Sequence, residues 1–128
     1  MAGELKKLIE DGLRTPFQSR PFYDPEDDAL TFYAKDEDSY ARRIDAVLTF
    51  FFSMVSHEPI GFEIKGVRDL LDRVGSFGLD LRARRVAVKK IMMGYYLLPE
   101  RATGDDIQVL ETFVTKDIDG DVELSPAP

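Results

Sequence analysis

The sequence predicts an α+β fold in which helices cover one face of a three-stranded antiparallel β-meander. Within residues 29–65, three segments show apolar side chains at every second position, the period of two that is typical of strands. From residue 66 onward the apolar residues recur at the spacing of one helix face. A sheet with one apolar face needs a cover, and the helices that follow it in the chain can supply one.

The composition fits one domain over residues 1–128. Of the 128 residues, 44% are hydrophobic, which is too many for a disordered chain and enough for one core. The absence of cysteine excludes a disulfide scaffold, a thiolate zinc site and a cysteine nucleophile, and a single histidine excludes a multi-histidine metal site. No apolar run is long enough to span a bilayer, and residues 1–13 carry charges unlike a secretory signal, so we expect a cytoplasmic protein.

The first part of the chain predicts a helix and then a linker. Leu5, Leu8, Ile9 and Leu13 have helical spacing, which predicts a short amphipathic helix over residues 1–13. Residues 15–28 contain three prolines and little periodicity. Because proline lacks a backbone donor and restricts its neighbour, we expect an extended linker there.

Three strands are predicted next. The first follows the alternation of Leu30, Phe32 and Ala34, and the third follows that of Ile60, Phe62 and Ile64. The middle strand spans Ile44 to Met54, where the even-numbered residues are all apolar. Its other face carries Val47 and Phe51, which a second copy of the chain or the N-terminal helix would cover. A homodimer through that face is therefore one expectation.

Helices are predicted over residues 66–116. The first contains Val67, Leu70, Leu71 and Val74, and the last contains Ile107, Leu110, Phe113 and Val114. Residues 79–88 fit a strand and a helix equally well, and we favour a helix from about Lys89 until Pro99 ends it. Residues 117–128 are predicted to form a frayed acidic tail.

Short motifs around the predicted meander resemble a known family. Tyr23-Asp24 followed by Asp28-Ala29-Leu30 opens the segment, and Gly61-Phe62-Glu63-Ile64 closes it. Over about residues 22–65 this pattern is similar to the small bacterial domain of unknown function 2283. The resemblance implies a small β-meander with no established activity, and protein partners of the toxin-like kind. It assigns no functional residue.

Charge is distributed unevenly along the chain. Residues 65–101 hold nine basic and four acidic side chains, whereas the chain as a whole has a net charge of −7. The basic side chains concentrate in one stretch formed by Arg82, Arg84, Arg85, Lys89 and Lys90. This basic stretch is a candidate contact for an acidic partner or for nucleic acid, although the acidic net charge disfavours nucleic acid. The alternative is that it pairs with the protein's own acidic ends.

Four aromatic residues are candidates for a pocket or an interface: Phe50, Phe51, Phe52 and Tyr95. They would line a cavity between sheet and helices, or a contact surface, although aromatic residues at such spacings are more often core. No P-loop or dinucleotide fingerprint accompanies them. We therefore expect no cofactor.

The other polar clusters fit structural roles. Asp117, Asp119 and Asp121 lack the glycine position and the terminal glutamate of an EF-hand, so we expect no metal. The acidic cluster of Asp24, Glu26, Asp27 and Asp28 fits an exposed turn. His57 lies near Ser53 and Ser56, but no nucleophile elbow surrounds them, so we expect no catalytic residue.

These observations favour a protein-interaction or regulatory module without catalytic activity. One alternative is a nucleic-acid-associated protein that uses the basic stretch over residues 82–90. Another is a small-ligand-binding domain or an enzyme with a pocket between the sheet and the helices. The sequence leaves the identity of a partner open.

Overall fold

A computed structural model describes residues 19–75, 82, 84–116 and 120–124. The described part has an α+β fold, as predicted. Its elements are, in chain order, β1 (Phe22–Asp24), β2 (Ala29–Tyr33), β3 (Ser39–Arg43), β4 (Leu48–Ser53), β5 (Pro59–Lys65), α1 (Val67–Arg73), β6 (Arg85–Ala87), α2 (Val88–Tyr96), α3 (Gly104–Lys116) and β7 (Asp121–Glu123).

The main sheet has five antiparallel strands in the order β1-β2-β5-β4-β3, and β6 pairs with β7 in a separate two-stranded sheet. The predicted three-stranded meander is therefore wrong. The first predicted strand pairs with the third, because β2 lies against β5 rather than against the strand that follows it. No strand was predicted over residues 39–43, yet they form the edge strand β3. Being exposed, this strand carries no apolar alternation that would reveal it.

The predicted middle strand is also shorter than expected. It begins at Leu48, because residues 44–47 form the turn between β3 and β4. Asp45 Oδ1 accepts hydrogen bonds from the backbone N–H groups of Val47, at 2.8 Å, and Leu48, at 2.7 Å. A carboxylate that binds the next amides in this way favours a turn over a continuing strand.

The core lies between the five-stranded sheet and the helices. The fully buried apolar side chains on β2, β4 and the second half of β5 are Leu30, Phe32, Leu48, Phe50, Phe62 and Ile64. Phe113 of α3 packs onto this layer, with its ring 5.5 Å from that of Phe62 and 6.1 Å from that of Phe32. Each fully buried large apolar side chain contributes about 1.5–3 kcal/mol to the stability of the fold.

Helix α1 begins at a cap supplied from a distant turn. The backbone oxygen of Asp28 accepts hydrogen bonds from the N–H groups of Gly66 and Val67, and its carboxylate accepts one from that of Arg68. The first N–H groups of a helix have no partner within the helix, so Asp28 satisfies groups that would otherwise be unpaired. This contact fixes the start of α1 beside the first turn of the sheet.

Short strands occur in the ambiguous segment over residues 79–88, in the predicted linker and in the predicted acidic tail. Residues 85–87 form β6 and the helix begins at Val88, so both secondary structures are present where the sequence was ambiguous. The predicted linker over residues 15–28 contains β1, and the predicted acidic tail contains β7. The predicted helix over residues 1–13 lies outside the described residues.

Candidate functional site

A cleft of about 400 Å³ lies where β1 of the main sheet approaches the β6–β7 sheet. Its lining combines two prolines, three apolar or aromatic side chains, two arginines and two carboxylates: Arg20, Pro21, Phe22, Tyr23, Pro25, Arg85, Asp121, Val122 and Glu123. We call this region the sheet-junction cleft. A concave surface with an apolar part and a few charged groups is the usual form of a binding site.

Strand β1 supplies the aromatic wall of the cleft. Successive side chains of a strand point to opposite faces, so Phe22 and its neighbour Tyr23 have different environments. Tyr23 is almost fully buried, whereas Phe22 is 64% exposed. The hydroxyl of Tyr23 donates a 2.7 Å hydrogen bond to Asp28, which fixes β1 onto the turn before β2. This hydrogen bond holds β1 in place, and the ring of Phe22 on the same strand remains accessible to a partner.

Charges of both signs lie on the opposite wall. Arg85 of β6 donates a 2.9 Å hydrogen bond to Asp121 of β7, and the backbone of Arg85 pairs with Glu123. The hydrogen bond from Arg85 lowers the pKa of the Asp121 carboxyl, and the same bond raises the pKa of Arg85. Both side chains are largely exposed, so the pair orients charge at the cleft and adds little stability.

The structure separates the members of the predicted basic stretch. Only Arg85 lines the sheet-junction cleft. Arg82 and Arg84 are exposed in the segment before β6, Lys89 is exposed on α2, and Lys90 is half-buried. The Arg85–Asp121 pair matches the expectation that the stretch binds the protein's own acidic end. The stretch passes through a turn, a strand and a helix, so it does not form one continuous helical face.

Three of the four predicted aromatic residues lie on β4, and Tyr95 lies on α2. Phe50 and Tyr95 are fully buried in the core, and Phe52 is half-buried beneath the side chains of Tyr40 and Arg42. None of the four lines the sheet-junction cleft.

Phe51 lies on the other face of the sheet. Its ring stacks on that of Tyr33 at 4.8 Å, and both residues pair with Gly61 on the strand between them. A Cβ atom at Gly61 would lie 3.0 Å from the ring of Tyr33. The glycine therefore leaves the space in which the two rings meet.

The polar clusters have structural partners. The hydroxyl of Ser53, which is buried, accepts hydrogen bonds from the N–H groups of Val55 and Ser56, both at 3.1 Å, and so organises the β4–β5 turn. The ring of His57 is exposed and lies 3.3 Å from the hydroxyl of Tyr40, measured from its Nδ1 atom. Among the described residues no hydrogen bond joins a serine side chain to the His57 ring.

The acidic turn before β2 likewise serves the fold. Asp24 accepts a hydrogen bond from the N–H of Glu26, at 2.9 Å, and Asp28 caps α1. Within the described ranges no group of three or more histidine, aspartate or glutamate side chains is placed to hold a metal ion. Asp117 and Asp119, from the predicted acidic tail, lie outside the described residues.

A second cleft, of about 340 Å³, lies beside the β3–β4 turn. Its lining comes from that turn, from α1 and from the segment after α2: Asp45, Ala46, Val47, Asp69, Arg73, Leu98, Pro99 and Glu100. Asp45 is engaged by two backbone amides and by Tyr95, and Asp69 pairs with Arg73 at 3.0 Å. Two of the three carboxylates that line this second cleft therefore already have partners within the fold.

Sequence reasoning missed Phe22 and Arg20 as site residues. These two residues line the cleft because β1 approaches β7, which lies almost one hundred positions later in the chain. The one local signal was an aromatic residue beside Pro21 in a stretch without periodicity.

The described helices are all too short or too polar to cross a membrane. Comparisons of the chain with protein-family models, with curated proteins and with solved structures found no match.

Proposed function

We propose that the protein is a non-catalytic interaction module that binds a segment of a partner protein in the sheet-junction cleft. The observation that carries this proposal is the exposure of Phe22, at 64%, beside an arginine–carboxylate pair. Aromatic and arginine side chains dominate the energetics of protein interfaces, because they bury a large area and offer directed contacts. A protein segment can satisfy the apolar wall and both signs of charge.

The charges of the cleft favour a protein over a nucleic acid. Asp121 accepts the hydrogen bond of Arg85, and Glu123 lies opposite Arg85 in the strand pair. A phosphate backbone approaching Arg85 would meet these carboxylates, and the net charge of −7 repels it at longer range. The resemblance over residues 22–65 to the small bacterial domain of unknown function 2283 supports the same proposal, because this resemblance implies protein partners.

A tagged pull-down from a lysate of the native host tests the proposal, performed with and without nuclease at low and moderate salt. We expect a stoichiometric protein that survives nuclease and is lost when Phe22 is replaced by alanine. Leu97→Ala is the matched control, since Leu97 is 58% exposed but does not line the cleft. A partner that both variants retain equally would place binding elsewhere on the molecule.

Nucleic-acid binding is the second candidate, because Arg82, Arg84 and Lys89 are exposed. It predicts that nucleic acid is recovered only without nuclease and is lost at moderate salt, because binding releases counterions. It also predicts that reversing Arg84 and Arg85 to glutamate abolishes recovery, whereas Phe22→Ala does not.

A further inference from the structure

Among the described strands, β3 is an edge of the main sheet that pairs only with β4. Two backbone hydrogen bonds that flank β3 fix which of its groups face β4. The backbone N–H of Met54 donates to the backbone oxygen of Asp38 at 2.8 Å, and the N–H of Ile44 donates to the backbone oxygen of Leu48 at 2.9 Å. Bonding alternates along an antiparallel pair, so Tyr40 and Arg42 also bond to β4. The N–H and C=O groups of Ser39, Ala41 and Arg43 therefore point away from the sheet.

The two edges of the main sheet differ. The other edge strand, β1, is three residues long and lies against β7. Strand β3 has five residues, of which four are exposed and one is half-buried. Charged side chains often guard such an edge. Here Arg42 turns toward the helical side instead, with its guanidinium 2.7 Å from Asp106 and 5.1 Å from the centre of the Phe52 ring.

The charges around β3 are complementary to those of a second β3 strand that runs antiparallel to it. The exposed acids Asp36, Glu37 and Asp38 precede the strand, and Arg42 and Arg43 end it. In an antiparallel pair of two such strands centred on Ala41, Arg43 lies opposite Ser39 of the second copy. Glu37 of that copy, which lies in the bend two positions before Ser39, is then the next diagonal neighbour of Arg43, within reach of a long side chain.

We propose that two copies of the chain associate by antiparallel pairing of their β3 strands about Ala41. Ala41 exchanges both backbone bonds with Ala41 of the second copy, and Ser39 and Arg43 exchange theirs with each other. The two sheets become one, and two Arg43–Glu37 contacts form by symmetry. This contact is the strand edge, whereas the homodimer expected from the sequence used the face of the middle strand. The pairing is isologous, so it closes at a dimer.

Charge reversal tests the register. Arg43→Glu places two glutamates together at each symmetric contact, and Glu37→Arg places two arginines together. We expect sedimentation equilibrium of the full chain to show a dimer whose Kd is raised roughly tenfold by each reversal. The double variant, Glu37→Arg with Arg43→Glu, restores opposite charges and should regain the original affinity. Lys89→Glu is the control, because it makes the same charge change as Arg43→Glu at an exposed position of α2, away from β3.

An equimolar mixture of the two single variants gives the sharpest result. In the mixed dimer, the glutamate introduced by Arg43→Glu in one chain meets the arginine introduced by Glu37→Arg in the other. The second contact joins the unchanged Arg43 of one chain to the unchanged Glu37 of the other, so both contacts become attractive. We expect the mixture to form heterodimers more tightly than either variant alone forms homodimers. A mixture no tighter than its components would overturn the proposed register, even if both single variants were weakened.

Hydrogen exchange adds a readout that is independent of charge. The outward amides of Ala41 and Arg43 should be protected in the dimer and exchange faster on dilution, while those of Tyr40 and Arg42 stay protected at both concentrations. A chain that is monomeric up to its solubility limit overturns the proposal. So does a dimer in which the amides of Ala41 and Arg43 exchange freely.

Discussion

The hydroxyl of Tyr95 donates a 2.8 Å hydrogen bond to Asp45 Oδ2, although fifty positions separate the two residues. The other oxygen of the Asp45 carboxylate holds the β3–β4 turn through the amides of Val47 and Leu48. The Tyr95 hydroxyl also accepts a 2.8 Å hydrogen bond from the N–H of Ala102. One carboxylate and one phenol thus join the sheet, α2 and the segment before α3.

Replacing Tyr95 with phenylalanine is expected to lower the free energy of unfolding by about 1–3 kcal/mol. The loss arises because the buried N–H of Ala102 loses its acceptor and Asp45 loses a donor, while the ring still fills its site. Urea denaturation measures the change. Tyr96→Phe is the control, since no hydrogen bond of its hydroxyl occurs among the described residues. Equal effects of the two substitutions would contradict this account.

Replacing Asp28 is expected to lower the free energy of unfolding more than replacing its exposed neighbour Asp27. Asp28→Ala removes the carboxylate that accepts hydrogen bonds from Tyr23 and Arg68, and it places alanine at a φ of 51°. Loss of a helix cap and a left-handed alanine together cost about 2 kcal/mol. Asp28→Asn should cost less, because asparagine tolerates this backbone conformation. Asp27→Ala should stay within about 0.5 kcal/mol, and a larger change there would point to the turn rather than to the cap.

Alkaline pH is expected to destabilise the fold through its buried tyrosines. Burial raises the pKa of Tyr23 to about 12, and its hydrogen bond to Asp28 acts in the same direction. Burial likewise raises the pKa of Tyr95. The unfolded chain loses these protons near pH 10, before the folded chain does, so stability is complete below about pH 10 and falls as pH rises toward 12.

The measurement is the free energy of unfolding as a function of pH, for the parent protein and for Tyr23→Phe. The variant should lose less stability than the parent between about pH 10 and 12, because one of the shifted groups is gone. Parallel curves for the two proteins would show that Tyr23 does not contribute to the alkaline loss.

The buried elements could be predicted because burial leaves a periodic pattern in the sequence. Phe32, Phe50 and Phe62 all lie on strands where alternation placed them, and Leu70 and Leu110 lie on predicted helix faces. The order of the strands could not be predicted this way. Alternation shows which face of a strand is buried, but it does not show which strand is its neighbour.

The short edge strands leave no such pattern. The β3 strand is exposed on both faces, and β1 and β7 are too short to show a period. For the same reason the sheet-junction cleft was not foreseen as a site. Arg85 stood out by its charge, but its neighbours Phe22 and Asp121 are distant in sequence and meet it only in the folded chain.

Gly94 tests how closely α1 and α2 pack. Alanine is the better helix former by about 1 kcal/mol, so propensity alone predicts that Gly94→Ala stabilises α2. A Cβ atom at this position, however, would clash with the backbone oxygen of Leu70 and lie 2.7 Å from its Cβ. A backbone atom cannot yield as a flexible side chain can. We therefore expect the clash to dominate and Gly94→Ala to lower the free energy of unfolding by about 2 kcal/mol.

The control for this substitution is Met93→Ala on the same helix. Met93 is 57% exposed, so its truncation should change the free energy of unfolding by about 0.5 kcal/mol or less. Both changes are measured by urea denaturation with a common slope, which shows that the compactness of the two states is unaltered. If Gly94→Ala instead stabilises the protein, helix propensity outweighs packing at this site, and α1 and α2 must be able to separate without cost to the core.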